Sequence, residues 1–262
     1  MLRGANVVDA TQYFQPVFVY LYLKRYGEIM KTIGMLGGMS WESTVTYYEA
    51  LNKGIKAALG GLHSAKICLH SVDFEEIKTL QHEGKWVETA AILANGAKSV
   101  EAGGADFLLI CTNTMHQVAP YIAEQISIPI LHIADATADA LKADGITKVG
   151  LLGTRFTMEQ DFYKNRLIEH FGIDVVVPGE ADRESVHTII YDELCQGQIY
   201  TESRERYLAI IDLLHKRGAQ AVILGCTEIG LLVQQRHTHV PLYDTTKLHA
   251  DAAVAFALSV SE

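Results

Sequence analysis

Two stretches of this chain end a short apolar run in groups that can move a proton. Gly218 to Glu228 reads Gly-Ala-Gln-Ala-Val-Ile-Leu-Gly-Cys-Thr-Glu, and Gly104 to Thr114 reads Gly-Ala-Asp-Phe-Leu-Leu-Ile-Cys-Thr-Asn-Thr. Each apolar run reads as a buried strand. The polar residues then fall at its C-terminal end, where open α/β sheets bind ligands. A thiol acts as a base only as thiolate, and its ordinary pKa near ~8.5 can be lowered by neighbours. Hydroxyls and backbone N–H groups at strand ends and helix starts can hold a carboxylate and the charge that develops beside it.

Register decides which groups face each other. Aligned on Gly104-Ala105 and Gly218-Ala219, the two stretches set Thr112 opposite Cys226 and Cys111 opposite Gly225. Side chains alternate along a strand, so a slip of one residue reverses which group points out. Cys111 is therefore expected in the core and Thr112 at the site. The match extends to Gly34-Met35-Leu36-Gly37 with Gly150-Leu151-Leu152-Gly153, and to Ile128-Pro129-Ile130 with Val240-Pro241-Leu242. Two such halves about a pseudo-two-fold axis would point equivalent strand ends across a cleft. That suits removing a proton from one side of a carbon and returning it on the other.

The elements that must position these groups alternate. Strands are predicted at Thr32–Leu36, Lys66–His70, Phe107–Cys111, Ile128–His132, Lys148–Leu152, Asp174–Val177, Ala221–Leu224 and Val240–Asp244, with helices between them. The pattern predicts an α/β protein of two pseudo-symmetric domains with mainly parallel sheets flanked by helices, and an active site in the interdomain cleft. Residues 30–131 with 246–262 form the first domain and 132–245 the second. Gly37-Gly38 allows a tight turn after the first strand, and Ser40 caps a helix from Glu42 to Leu59, with Ser43 and Thr44 near its start. No G-x-G-x-x-G follows that strand, so a dinucleotide site is not supported. Gln81 and His82 are expected in a loop, Asp135 as a helix cap, and a helix near Glu184 to Cys195.

Composition narrows the partners. The net charge of −9 disfavours a nucleic-acid reader. Cys68, Cys111, Cys195 and Cys226 lie far apart with no C-x-x-C, which points to a reducing, cytoplasmic setting and to neither a disulfide framework nor a zinc ribbon. The eleven histidines show no metal spacing, so no metal is expected. No apolar run is long enough to cross a membrane. Residues 1–29 read as an extension before a start at Met30, or alternatively as an amphipathic segment that packs on a partner.

From Met30 to about Leu258 the chain resembles the cofactor-independent aspartate/glutamate racemase family. The resemblance is carried by Gly37-Gly38-Met39-Ser40-Trp41, Asn113-Thr114-Met115-His116, Thr154-Arg155-Phe156-Thr157-Met158 and Gly225-Cys226-Thr227-Glu228. It implies an amino acid racemase that needs no pyridoxal phosphate or other cofactor, takes a small-molecule amino acid substrate, and is commonly a homodimer. Family members carry two cysteines as the two proton-transfer bases. Here Thr112 stands where the first is expected. The resemblance then implies that Cys226 takes the α-proton and the Thr112 side reprotonates the opposite face, with the L-enantiomer of aspartate or glutamate favoured. Met39, Asn113, Thr114, Met115 and Thr227 are assigned to substrate binding, Glu228 to orienting the substrate ammonium or a neighbouring group, and His116 to support of the first face. Gln81 can donate a hydrogen bond to the side carboxylate but brings no charge. Alternatives are isomerisation or decarboxylation of a dicarboxylate, racemisation of other amino acids, and a non-catalytic module that binds a small ligand.

Overall fold

The computed structural model describes residues 30–259, so the readings made for 1–29 and 260–262 lie outside the described residues. It contains two parallel sheets. In the first, β1 (Ile33–Gly37) is central, with β2 (Ile67–Ser71) on one side and β3 (Phe107–Ile110) on the other. In the second, the order is β5-β4-β6-β7, from β4 (Lys148–Gly153), β5 (Asp174–Val176), β6 (Ala221–Gly225) and β7 (Leu242–Asp244). β1, β3 and β6 are buried along their whole length, as unbroken apolar strands covered on both faces must be.

A fourth strand in the first sheet was expected over 128–132. Only a single bridge forms there, between Leu108 and Ile130. The Leu108 N–H donates to the Pro129 carbonyl (2.9 Å), and the Leu131 N–H donates to the Leu108 carbonyl (3.0 Å). Pro129 has no N–H to extend the ladder, and His132 already turns into the next helix. The second sheet begins the same way, with the Val222 N–H donating to the Pro241 carbonyl at 2.8 Å, but there the pairing continues through β7.

Alternation along the strands sorts the core. Leu108 and Ile110 pack with Leu93, Ala94 and Ala97 of the helix Trp86–Ala102. Phe107, Leu109 and Cys111 face the other way, onto Tyr47 and Leu51 of the helix Trp41–Leu59 and the small side chains Ala250, Ala253 and Ala257 of the helix Thr245–Leu258. The chain crosses between sheets twice. The helix Ile133–Ala143 follows the first sheet in sequence but packs on the second, with Ala134, Ala138 and Leu141 against Val149, Leu151 and Ile223. The helix Thr245–Leu258 follows the second sheet and packs on the first. These two helices also pack on each other.

Caps place the helix starts. Ser40 accepts from the Ser43 N–H (3.3 Å), and Asp244 accepts from Thr246 and Lys247 N–H groups at 2.9 and 3.1 Å. Asp135 does not cap its helix. His132 does, its Nδ1 accepting from the Ala134 N–H at 3.2 Å. Asp135 lies in the first turn and pairs with Arg166 through two hydrogen bonds, 2.5 and 2.7 Å. The helix expected near Glu184 begins earlier, spanning Glu180–Thr188. It then loosens into a π turn over Ile189–Glu193 and a 3₁₀ turn over Leu194–Gln196.

Candidate active site

Strand pairing sets the level of the two key residues. Leu36 of β1 pairs with Ile110, while Leu152 and Gly153 of β4 pair with Leu224 and Gly225. The Cys111 N–H donates to the Leu36 carbonyl at 2.9 Å. One further residue brings Thr112 to the level of Cys226. Cys111 points into the core among Ile33, Met35 and Tyr47, where burial pushes its pKa far above the ordinary thiol range. Thr112 leaves the strand in a tight turn, its N–H donating to the Ile110 carbonyl at 2.8 Å.

Thr112 and Cys226 line one cleft between the two sheets, together with Met39, Gln81, Asn113, Thr114, Met115, Thr227 and Glu228. The turn after β1 brings Met39 there. It depends on Gly38, whose φ is +92° and whose N–H donates to the Thr44 hydroxyl at 2.8 Å. A Cβ at Gly38 would sit 2.2 Å from the Val72 carbonyl oxygen, which excludes any side chain.

Glu228 is the centre of the polar network. One oxygen accepts from the Ser40 and Ser43 hydroxyls at 2.8 and 3.0 Å. The other accepts from the Cys226 thiol at 2.9 Å. Burial, and then the Glu228 carboxylate, push the Cys226 pKa well above its ordinary value. The neighbours thus act opposite to the lowering expected for a free thiolate, because the nearest charge is an anion. The thiol and the carboxylate form a hydrogen-bonded pair.

The remaining expected residues have defined partners. Asn113 donates to the Thr245 hydroxyl at 2.9 Å, which leaves its buried Oδ1 without a partner among the described residues. The Thr114 hydroxyl meets those of Thr154 and Thr157 at 3.2 and 3.3 Å and so ties the end of the first sheet to that of the second. Thr227 accepts from the Thr246 hydroxyl at 3.0 Å. Gln81 does not lie in a loop. It sits in the last turn of the helix Phe74–His82, 2% exposed, with its Nε2 unpartnered among the described residues.

His116 does not line the cleft but lies behind it. Its Nδ1–H donates to the Thr112 carbonyl (2.8 Å), and its Nε2 accepts from the Ile133 N–H (3.2 Å). That pattern requires the neutral tautomer, and burial holds its pKa well below the usual histidine range. His116 therefore fixes the turn that presents Thr112 and stays neutral.

Several lining residues escaped the sequence reading. Ser40 and Ser43 were legible as helix-start hydroxyls, but nothing local showed that they would serve a carboxylate from the distant half of the chain. Thr154, Phe74, Ile190 and Tyr191 also line the cleft. Cys195 is a lining residue as well, its pKa pushed up to about 12 by burial and then by Glu228. Among the described lining residues Glu228 is the sole charged side chain.

The model of the Asp/Glu/Hydantoin racemase family matches residues 36–253. The chain is similar to a candidate Asp/Glu racemase from Yersinia pestis, whose crystal structure superposes with a TM-score of 0.83 at 53% identity, covering 88% of this chain and 100% of that one. It is also similar to an aspartate racemase homologue from Pyrococcus horikoshii OT3, with a TM-score of 0.77 and 32% identity over 87% of this chain and 99% of the other. A broad specificity amino-acid racemase of Bacillus subtilis is 21% identical over 87% of this chain and 98% of its own length.

Proposed function

This chain belongs to the Asp/Glu/hydantoin racemase family, and we propose that it is an amino acid racemase acting on aspartate or glutamate without a cofactor. Cys226 and Thr112 are the two faces of the reaction. The Cys226 thiol passes its proton to Glu228, and the resulting thiolate takes the α-proton of the substrate. The electron pair left on Cα is delocalised into the α-carboxylate, which the N–H and hydroxyl groups of Asn113, Thr114 and Thr227 hold. A proton then arrives on the opposite face from the Thr112 hydroxyl, and the proton held by Glu228 passes through water to refill Thr112, so the site returns to its starting state. One C–H bond breaks and one forms, so no oxidant or reductant is required.

The observation that carries this reading is that Thr112 and Cys226 end equivalent strands and line one cleft beside a buried carboxylate. Two orphaned polar atoms add to it. The Gln81 Nε2 is a donor suited to a side carboxylate, and the Asn113 Oδ1 is an acceptor suited to an ammonium group. Threonine has no thiolate-like state near neutral pH, so the Cys226 face is the stronger base and L-enantiomers turn over faster.

Incubation with L-aspartate and L-glutamate in D₂O tests the reading. Deuterium should enter Cα without added cofactor, and Cys226→Ala should abolish the incorporation. No incorporation from either amino acid would defeat it. Because the equilibrium constant of racemisation is unity, kcat/KM must match for the two enantiomers. The preference for L is therefore expected as a higher kcat with a proportionally higher KM.

A further inference from the structure

The cleft is the inner of two adjoining cavities. A wider, open vestibule adjoins it. The two cavities share four wall residues, Ser40, Phe74, Tyr191 and Cys195. Ser40 is held by Glu228 and Cys195 is small, so the rings of Phe74 and Tyr191 are the bulk of the partition.

Tyr191 is the more distinctive of the two. It lies in the π turn Ile189–Glu193, an irregularity that tends to accompany functional positions. Its ring is gripped by two histidines, with centroids 5.7 Å from His82 and 4.8 Å from His187. His82 in turn meets Phe156 at 5.8 Å, and Phe156 meets Trp86 at 5.9 Å. His82 and Trp86 come from helices on the first sheet, and Phe156, His187 and Tyr191 from the second half of the chain. The partition is thus an aromatic contact across the cleft. Burial and the nearby Cys226 keep the phenol neutral. Beyond it, the vestibule presents Glu42, Glu75 and Asp192 against Lys78, His82 and His187. Lys78 already has Glu75 at 3.6 Å, so the far side of the wall suits a cation better than an anion.

Resting on the racemase reading above, we propose that Tyr191 is the residue that sets substrate length. Its ring closes the side-chain end of the cleft, so that short acidic side chains fit against Gln81 and longer ones are refused. Removing the ring joins the cleft to the acid-rimmed vestibule and admits a long basic side chain such as that of lysine.

The test compares Tyr191→Ala, Tyr191→Phe and Tyr191→Trp with the unaltered protein. The readouts are Cα deuterium exchange and calorimetric binding of L-aspartate, L-glutamate, L-lysine and L-2-aminoadipate. Tyr191→Ala should raise the lysine-to-aspartate ratio of both exchange and affinity at least ~10-fold, about 1.4 kcal/mol. L-2-aminoadipate, long but anionic, should gain less. Tyr191→Phe keeps the ring and should keep the ratio. Tyr191→Trp thickens the wall and should weaken L-glutamate more than L-aspartate, which gives a reading even where the alanine variant is poorly folded. An unchanged ratio in a folded Tyr191→Ala, or equal effects of tryptophan on both acidic substrates, would overturn the proposal. Binding needs no turnover, so absence of exchange in every protein would count against the racemase reading while the affinities still decide the role of Tyr191.

Discussion

Acid should loosen the chain crossing behind Thr112, because His249 is held neutral there. Its Nδ1 accepts from the Tyr47 hydroxyl at 2.8 Å, and its Nε2–H donates to the Leu131 carbonyl at 2.8 Å, at the point where the chain leaves the first sheet. The side chain is 0% exposed, and burial pushes its pKa to about 4. In the unfolded chain the value returns to ~6.5. Below that pH the unfolded chain takes a proton that the folded one refuses, so stability falls with pH until about 4 and then levels. The gap between the two values, at about 1.4 kcal/mol per pH unit, comes to roughly 3 kcal/mol. His132, pushed to about 3 mainly by burial, adds in the same direction. Urea unfolding between pH 7.5 and pH 4 measures the effect. His249→Gln can still accept and donate but cannot titrate. It should be about 1 to 2 kcal/mol less stable at neutral pH, yet lose roughly 3 kcal/mol less on acidification. Parallel pH curves for the two proteins would refute the reasoning, since His249 would then titrate no differently folded than unfolded.

Three further outcomes are expected at the site. Glu228→Gln removes the anion beside Cys226, so iodoacetamide should alkylate that thiol faster at pH 8. Racemisation should nevertheless fall on the order of 10²-fold for loss of the proton acceptor, as read by coupled polarimetry. Thr112→Cys supplies a thiol on the weak face and should raise kcat for D-aspartate on the order of 10²-fold; no change would mean that the proton reaches that face by another route. Gln81→Leu removes an unpartnered buried donor and should raise the KM for L-glutamate about tenfold. The melting temperature should hold or rise, because the orphaned group is a cost in the free protein. A drop in both would mark Gln81 as structural.

How much was legible follows from how local each signal is. Gly38-Met39-Ser40 and Gly225-Cys226-Thr227-Glu228 carry their chemistry in adjacent residues, and the repeat could be aligned on Gly-Ala pairs alone. The positions of Thr112 and Cys111 followed from strand alternation, a period of two that holds in any sheet. The helix around Gln81 was missed because Gln81-His82-Glu83-Gly84 has turn-like composition, while Asp73 caps the preceding residues into a helix. The strand at 128–132 was overstated because an apolar run around proline looks the same whether it forms a ladder or a single bridge.

By itself the sequence determined the α/β class and the doubled plan, which rest on periodicity, and from side-chain chemistry it marked Thr112 and Cys226 as candidates. Only the tertiary structure decided what surrounds them. The Ser40 and Ser43 hydroxyls and the Cys226 thiol meet on Glu228, His116 braces Thr112 from behind, and Tyr191 walls the cleft between His82 and His187. Ser40, Ser43 and His82 reach their partners from the other half of the chain. Their geometry comes from how the two sheets and the crossing helices pack, and no pattern along the chain encodes that distance.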